Sequence, residues 1–235
     1  MNRSRSLRVL TVSVLIALWV SLPLNALAGS RDILWDIIGN CLDPSAADYC
    51  AKCRAPRAET ACAAENFCKE TTEVWAETAD FVAVRDRKMC GCPSGLVHGL
   101  AIPRARVAGV EDPRRPAAIW EFAWATGRSK IPEEDLLTVV VNPRSGRSQD
   151  QMHLHMVRLK KDARSRFSSY PTARIRDLAN VWDTASRLAC AAKLSEYGVL
   201  VARDPGGGFV VLVDAASPEK DFVQERCLPN QPHQP

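Results

Sequence analysis

The strongest constraint in the chain is a nine-residue stretch, Gln149, Asp150, Gln151, Met152, His153, Leu154, His155, Met156 and Val157, with a strict two-residue period. Alternation of this kind places Met152, Leu154 and Met156 on one face of a β-strand and Gln151, His153 and His155 on the other. The methionine-leucine face is expected to pack on a core, which leaves two imidazoles and an amide side by side on the opposite face. Residues 136–141 form a continuous β-branched run just upstream, and Asn142, Pro143, Arg144, Ser145 and Gly146 have turn composition. Two strands joined by so short a loop must run antiparallel.

The rest of the chain fits an α+β fold. Residues 31–40 carry Ile33, Leu34, Ile37 and Ile38 at helical spacing and end in Gly39 and Asn40, which predicts a short docking helix. Residues 81–84 and 96–102 read as strands, the second stopped by Pro103. A helix after Pro116 would place Ile119, Trp120, Ala123 and Trp124 on one face. Residues 175–194 read as a second long helix, and residues 197–203 and 208–214 as a hairpin closed by Asp204, Pro205, Gly206 and Gly207. The glycines at 206–208 lack the lysine and helix start of a phosphate-binding loop, so they are assigned to the hairpin turn.

Arg3, Arg5 and Arg8 precede an uncharged apolar run over residues 9–24, followed by Ala26, Leu27 and Ala28. This is the pattern of an export signal, so residues 1–28 are expected to be a signal peptide or an N-terminal membrane anchor and residues 29–235 a single domain. The expected address is the cell envelope, on the outer face of the inner membrane or in the periplasm. The chain has nine cysteines, and Cys41, Cys50, Cys53, Cys62 and Cys68 fall in one stretch of little periodicity. In an oxidising compartment this reads as a disulfide-stapled N-terminal loop, with zinc at the Cys50 and Cys53 pair as the competing reading. Cys190, in an alanine-rich helical pattern, is expected to be a buried free thiol.

Charge gives no support to nucleic-acid binding: without the three N-terminal arginines, 28 basic residues face 27 acidic ones. The chain has four histidines, His98, His153, His155 and His233, so imidazole chemistry has few addresses. A metal held by His153 and His155 would need a third ligand that the sequence does not place.

The block from Val141 and Asn142 through Gly146, Ser148, Gln149, Gln151 and His153 to His155 resembles the histidine-triad superfamily, and more specifically the bacterial CDP-diacylglycerol pyrophosphatase family. Further support lies in Ser30 to Trp35, Val84 to Arg87, Ile102 to Pro113 and Tyr197 to Leu200. The resemblance implies an antiparallel sheet with flanking helices and hydrolysis of CDP-diacylglycerol to CMP and phosphatidate. His153 is then the nucleophile and His155 a supporting donor, with neither cofactor nor metal. Ser148, Gln149 and Asn142 would position the phosphates, Arg106 would contact phosphate, and Asp86 would contact the ribose. The competing roles of the last two are a solvated arginine and a turn cap. A membrane surface is the implied location of so lipid-bearing a substrate. Gln151 departs from the family pattern, which has histidine at this outer position, where an amide can still donate to a backbone carbonyl or a substrate oxygen. An amide donates a hydrogen bond but does not titrate, so Gln151→His is expected to preserve or raise activity. The alternative function is a non-catalytic or altered-substrate protein on the same scaffold, binding a nucleotide or phospholipid.

Overall fold

The computed structural model describes residues 31–42, 73–86, Met89 and residues 96–224. Within them lies an α+β domain built on one eight-stranded antiparallel sheet. The strands are β1 (Val74–Glu77), β2 (Phe81–Arg85), β3 (His98–Pro103), β4 (Leu137–Val141), β5 (Leu154–Arg158), β6 (Thr172–Ile175), β7 (Gly198–Arg203) and β8 (Phe209–Asp214). Their order across the sheet is β1-β2-β3-β5-β4-β7-β8-β6. The helices are α1 (Ile33–Asp36), which continues as a π-helical turn over Ile37–Cys41, α2 (Ile119–Lys130), α3 (Ala163–Arg166), α4 (Val181–Ala191) and α5 (Pro218–Phe222).

The two faces of the sheet are covered differently, and that difference makes the site. On one face α2 and α4 bury a single continuous core that includes Trp120, Trp124 and Trp182 with Met152, Leu154 and Met156 of the histidine segment. On the other face there are two separate patches. Leu34, Ile38 and Leu42 of the α1 segment sit on Val82, Val84, Leu100 and Ile102. Phe167 and Phe222 pack with Val140, Val157, Leu200 and Leu212. A sheet face covered by two patches has a gap between them, and β3, β5 and the end of β4 supply its floor.

The predicted alternation holds, but β5 joins the ladder only at Leu154. Upstream, the chain follows residues 103–107 instead, with the Met152 N–H donating to the Val107 carbonyl at 2.7 Å. The predicted helix over 175–194 is divided. Ile175 belongs to β6, which pairs with β8 through Ile175 and Phe209, and Asp177 accepts from the Ala179 N–H at 2.8 Å to start the helical turn that leads into α4. The hairpin of β7 and β8 is as expected, with Gly207 and Gly208 at φ of 99° and 77° in its turn.

Three expectations are corrected. The inner-membrane placement does not stand: among the described residues no helix is long and apolar enough to cross a membrane. The longest, α2, has 12 residues and carries Glu121, Arg128 and Lys130, whereas a span needs about 20 apolar residues. The disulfide expectation does not stand either, because Cys41 and Cys190 are free thiols and no disulfide occurs among the described residues. Cys190 is also exposed rather than buried: α4 turns Trp182, Ala185 and Ala189 inward, and the next position faces away. Residues 1–28 and Cys50, Cys53, Cys62 and Cys68 lie outside the described residues.

Candidate active site

Register brings the histidines together. In the antiparallel pairing of β3 with β5, Leu100 is opposite His155 and His98 is opposite Val157. His98 and His155 are therefore diagonal neighbours on one face. Their rings meet with His98 Nε2 2.8 Å from His155 Nδ1. His153 joins the row, its ring centroid 4.9 Å from that of His155.

On its other side His155 faces Asn142 and Glu219. The Asn142 amide nitrogen is 3.4 Å from His155 Nε2 and donates to Glu219 Oε2 at 2.5 Å. Asn142 Oδ1 accepts from the Ser217 hydroxyl at 2.8 Å, so the end of β4 is tied to the start of α5. Glu219 Oε2 lies 3.4 Å from His155 Nε2, and Glu219 Oε1 lies 3.7 Å from His98 Nε2. Asp86 Oδ2, at the end of β2, is 3.5 Å from the same His98 nitrogen. His98, His155 and Glu219 are all buried, and their ligand atoms lie within 4.8 Å of one another, so this trio could hold a metal ion.

His153 has a different environment. Its Nδ1 is 2.8 Å from the Gln151 carbonyl oxygen, which can only accept, so Nδ1 carries the proton and Nε2 keeps its lone pair. Burial lowers the His153 pKa and so favours the neutral ring; Arg147 acts in the same direction, while the Gln151 carbonyl, Glu219 and Asp86 oppose it. A neutral imidazole with a free Nε2 can attack an electrophilic phosphorus.

A cavity of about 340 Å³ opens over this row, lined by Asp86, Asn142, Arg147, Ser148, Gln149, His153, His155 and Glu219, with Leu34 and Ile37 of the α1 segment as apolar wall. That volume is in the usual range for a small-molecule site. Six of the eight candidates read from the sequence thus share one cavity: Asp86, Asn142, Ser148, Gln149, His153 and His155. Arg106 and Gln151 do not line it. Arg106 is exposed, paired with Asp32 at 3.1 Å and set over the Trp35 ring. His98 and Glu219 were missed. His98 lay in a predicted strand, but no local signal reveals which strand pairs with which.

Gln151 is a structural clamp. Its amide nitrogen donates to the carbonyls of Pro103 at 2.9 Å and Ala105 at 2.8 Å, and its Oε1 accepts from the Val107 N–H at 3.3 Å. A neutral imidazole has one donor and one acceptor and cannot make all three bonds. These bonds give Gln151 a role in stability that any replacement disturbs. Both Gln151→His and Gln151→Ala should lower stability by about 1–3 kcal/mol, read as a lower denaturant midpoint at unchanged slope.

Comparison with known proteins agrees with this geometry. The family model for CDP-diacylglycerol pyrophosphatase matches residues 29–189. The chain belongs to the CDP-diacylglycerol pyrophosphatase family. A CDP-diacylglycerol pyrophosphatase of Mycobacterium tuberculosis is 40% identical over 68 residues, covering 24% of this chain and 26% of that protein. A protein of Mycobacterium leprae named "Probable CDP-diacylglycerol pyrophosphatase" is 29% identical over 173 residues, covering 65% of this chain and 55% of its own length. The matches span about a quarter and just over half of these relatives. The antiparallel sheet with flanking helices matches the architecture of the histidine-triad-like superfamily. The buried His98, His155 and Glu219 cluster beside the sheet is consistent with the active site of a hydrolase of this family.

Proposed function

We propose that the protein hydrolyses CDP-diacylglycerol to CMP and phosphatidate through a covalent intermediate on His153. The observation that carries this reading is the His153 ring, buried, with Nδ1 committed to the Gln151 carbonyl and Nε2 left as the nucleophilic lone pair. Nε2 attacks the cytidylyl phosphorus, a P–N bond forms, and the bond from that phosphorus to the bridging oxygen breaks. Phosphatidate leaves with the bridging oxygen. Water then attacks the same phosphorus, the P–N bond breaks, and CMP departs with the water oxygen as His153 is regenerated.

The positive charge on the intermediate ring is stabilised by Nδ1–H donation to the Gln151 carbonyl. His155 keeps Nδ1 against His98, while Nε2, whose contacts to the Asn142 amide and Glu219 Oε2 are long at 3.4 Å each, turns to donate to a phosphoryl oxygen when substrate binds. Ser148, Gln149 and Asn142 orient the phosphates, and Asp86 takes the ribose. Family membership supports the substrate class.

The test is hydrolysis in water enriched in oxygen-18. CMP should carry the label and phosphatidate should not; label in phosphatidate, or no CMP, would sink the reading. The His98, His155 and Glu219 trio favours one second reading, metal-assisted attack by water. Chelator-stripped protein should keep its CMP release under the covalent mechanism, whereas loss of activity with recovery on adding zinc would establish the metal-assisted one.

A further inference from the structure

A diphosphate brings negative charge into a cavity that already holds the Asp86 and Glu219 carboxylates. Buried anions need a cation or directed donors. The arginine indicated by the sequence, Arg106, is 62% exposed and engaged with Asp32. Arg147 occupies the cavity wall instead, with its side chain 4% exposed. Arg85, the other arginine on that wall, lies 3.8 Å from Glu73 and is more open to solvent at 24%.

The chain builds a seat for Arg147. Glu111 accepts from its two outer nitrogens at 2.8 and 2.5 Å, a fork that fixes the guanidinium plane. Gly109 lies beneath at φ 132°, where an added Cβ would be 2.1 Å from Nη1, so both backbone and space require glycine there. The fork uses two of the five guanidinium N–H donors, so three remain. Nε is buried without a hydrogen-bond partner among the described residues. The Asp150 carboxylate is 3.9 Å away and is itself gripped by Arg31 at 2.9 and 2.7 Å. Arg147 therefore brings a buried cation to the cavity wall with donors to spare for a ligand oxygen.

We propose that Arg147 is the anion-binding residue of this site, its guanidinium donating to a non-bridging phosphate oxygen while Glu111 holds it in plane. The proposal rests on the reading above only for the identity of the whole substrate. Inorganic pyrophosphate, titrated calorimetrically into chelator-treated full-length protein, should bind one-to-one. The charge-neutral double variant Arg147→Gln with Glu111→Gln, which strands no carboxylate, should weaken that binding about tenfold or more. Arg147→Lys, which keeps a cation against Glu111 but lacks the planar fork of donors, should fall between the two. The near-ultraviolet circular dichroism of all three samples should be the same, which separates a lost anion contact from a collapsed cavity. Unchanged pyrophosphate affinity in either variant, no pyrophosphate binding by the wild type, or loss of the near-ultraviolet signal in parallel with affinity would overturn the assignment. The probe carries neither nucleoside-linked lipid nor a scissile cytidylyl group, so this result is independent of whether CDP-diacylglycerol proves to be the substrate.

Discussion

Alanine at position 153 is expected to abolish CMP release from CDP-diacylglycerol, lowering turnover at least about a thousandfold, and to eliminate any nucleotidylated protein trapped by an alkaline denaturing quench, under which a P–N bond survives. The size follows from the role. His98 and His155 are engaged with each other, and His155 is further held by Asn142 and Glu219; His153 is the ring whose Nδ1 is committed to a backbone carbonyl. Removing a nucleophile removes the reaction path, while removing one donor from a hydrogen-bonded set removes a fraction of the charge stabilisation. His155→Ala should therefore leave measurable turnover. His153→Ala strands the Gln151 carbonyl that Nδ1–H serves and should cost about 1–3 kcal/mol, so it should remain folded at the assay temperature. Near wild-type turnover in His153→Ala would end the covalent assignment, and the imidazole row would then be a structural or metal-binding cluster.

What could be read from the sequence was what local periodicity encodes. The alternation at residues 151–157 identified both faces of β5, and the Met152, Leu154 and Met156 face is in the core as expected. The short loop after β4 fixed its antiparallel pairing with β5, and the glycine-rich turn fixed that of β7 with β8. Edge elements were less legible. β1 and β6 have four residues each and half-exposed faces, too short to show a period. For the site, the signal was strong for residues on one continuous segment, Arg147 excepted, and absent for His98 and Glu219, which pairing and helix docking bring in. His98 is 57 positions from His155, and Glu219 is 77 from Asn142; register and helix docking join them, and neither is a local property. Arg106 was assigned to phosphate because its segment flanks the site in the family, and Gln151 to a backbone carbonyl or a substrate oxygen because it holds the first position of the triad. Arg106 turned outward to Asp32, and Gln151 turned to the backbone of residues 103–107.

The second large effect concerns the opposite face of the sheet. Trp120→Ala should destabilise the protein by about 3–5 kcal/mol, a fall of roughly 6–20 °C in Tm for a domain of this size. Trp120 is fully buried and packs edge-on against Trp182 with ring centroids 4.9 Å apart, so it joins α2 to α4 over the sheet. Its truncation opens a cavity where two helices meet, and a close-packed core relaxes into such a space only in part. The indole N–H adds a distinguishing test. Trp182 Nε1 donates to the Pro116 carbonyl at 3.0 Å, whereas Trp120 Nε1 is buried with no hydrogen-bond partner among the described residues. Phenylalanine at 120 removes that unsatisfied donor while keeping an aromatic face toward Trp182, so Trp120→Phe should cost under about 2 kcal/mol. Trp182→Phe instead leaves the Pro116 carbonyl without this donor and should cost more than Trp120→Phe. Because β3 and β5 carry His98 and His155 on the face away from these tryptophans, the fraction of Trp120→Ala that remains folded should retain wild-type turnover per folded molecule. Denaturation midpoints and turnover measured together on Trp120→Ala and His153→Ala should thus separate, the first losing stability at wild-type turnover and the second losing chemistry; loss of turnover per folded molecule in Trp120→Ala would mean that the core and the histidine row are not independent.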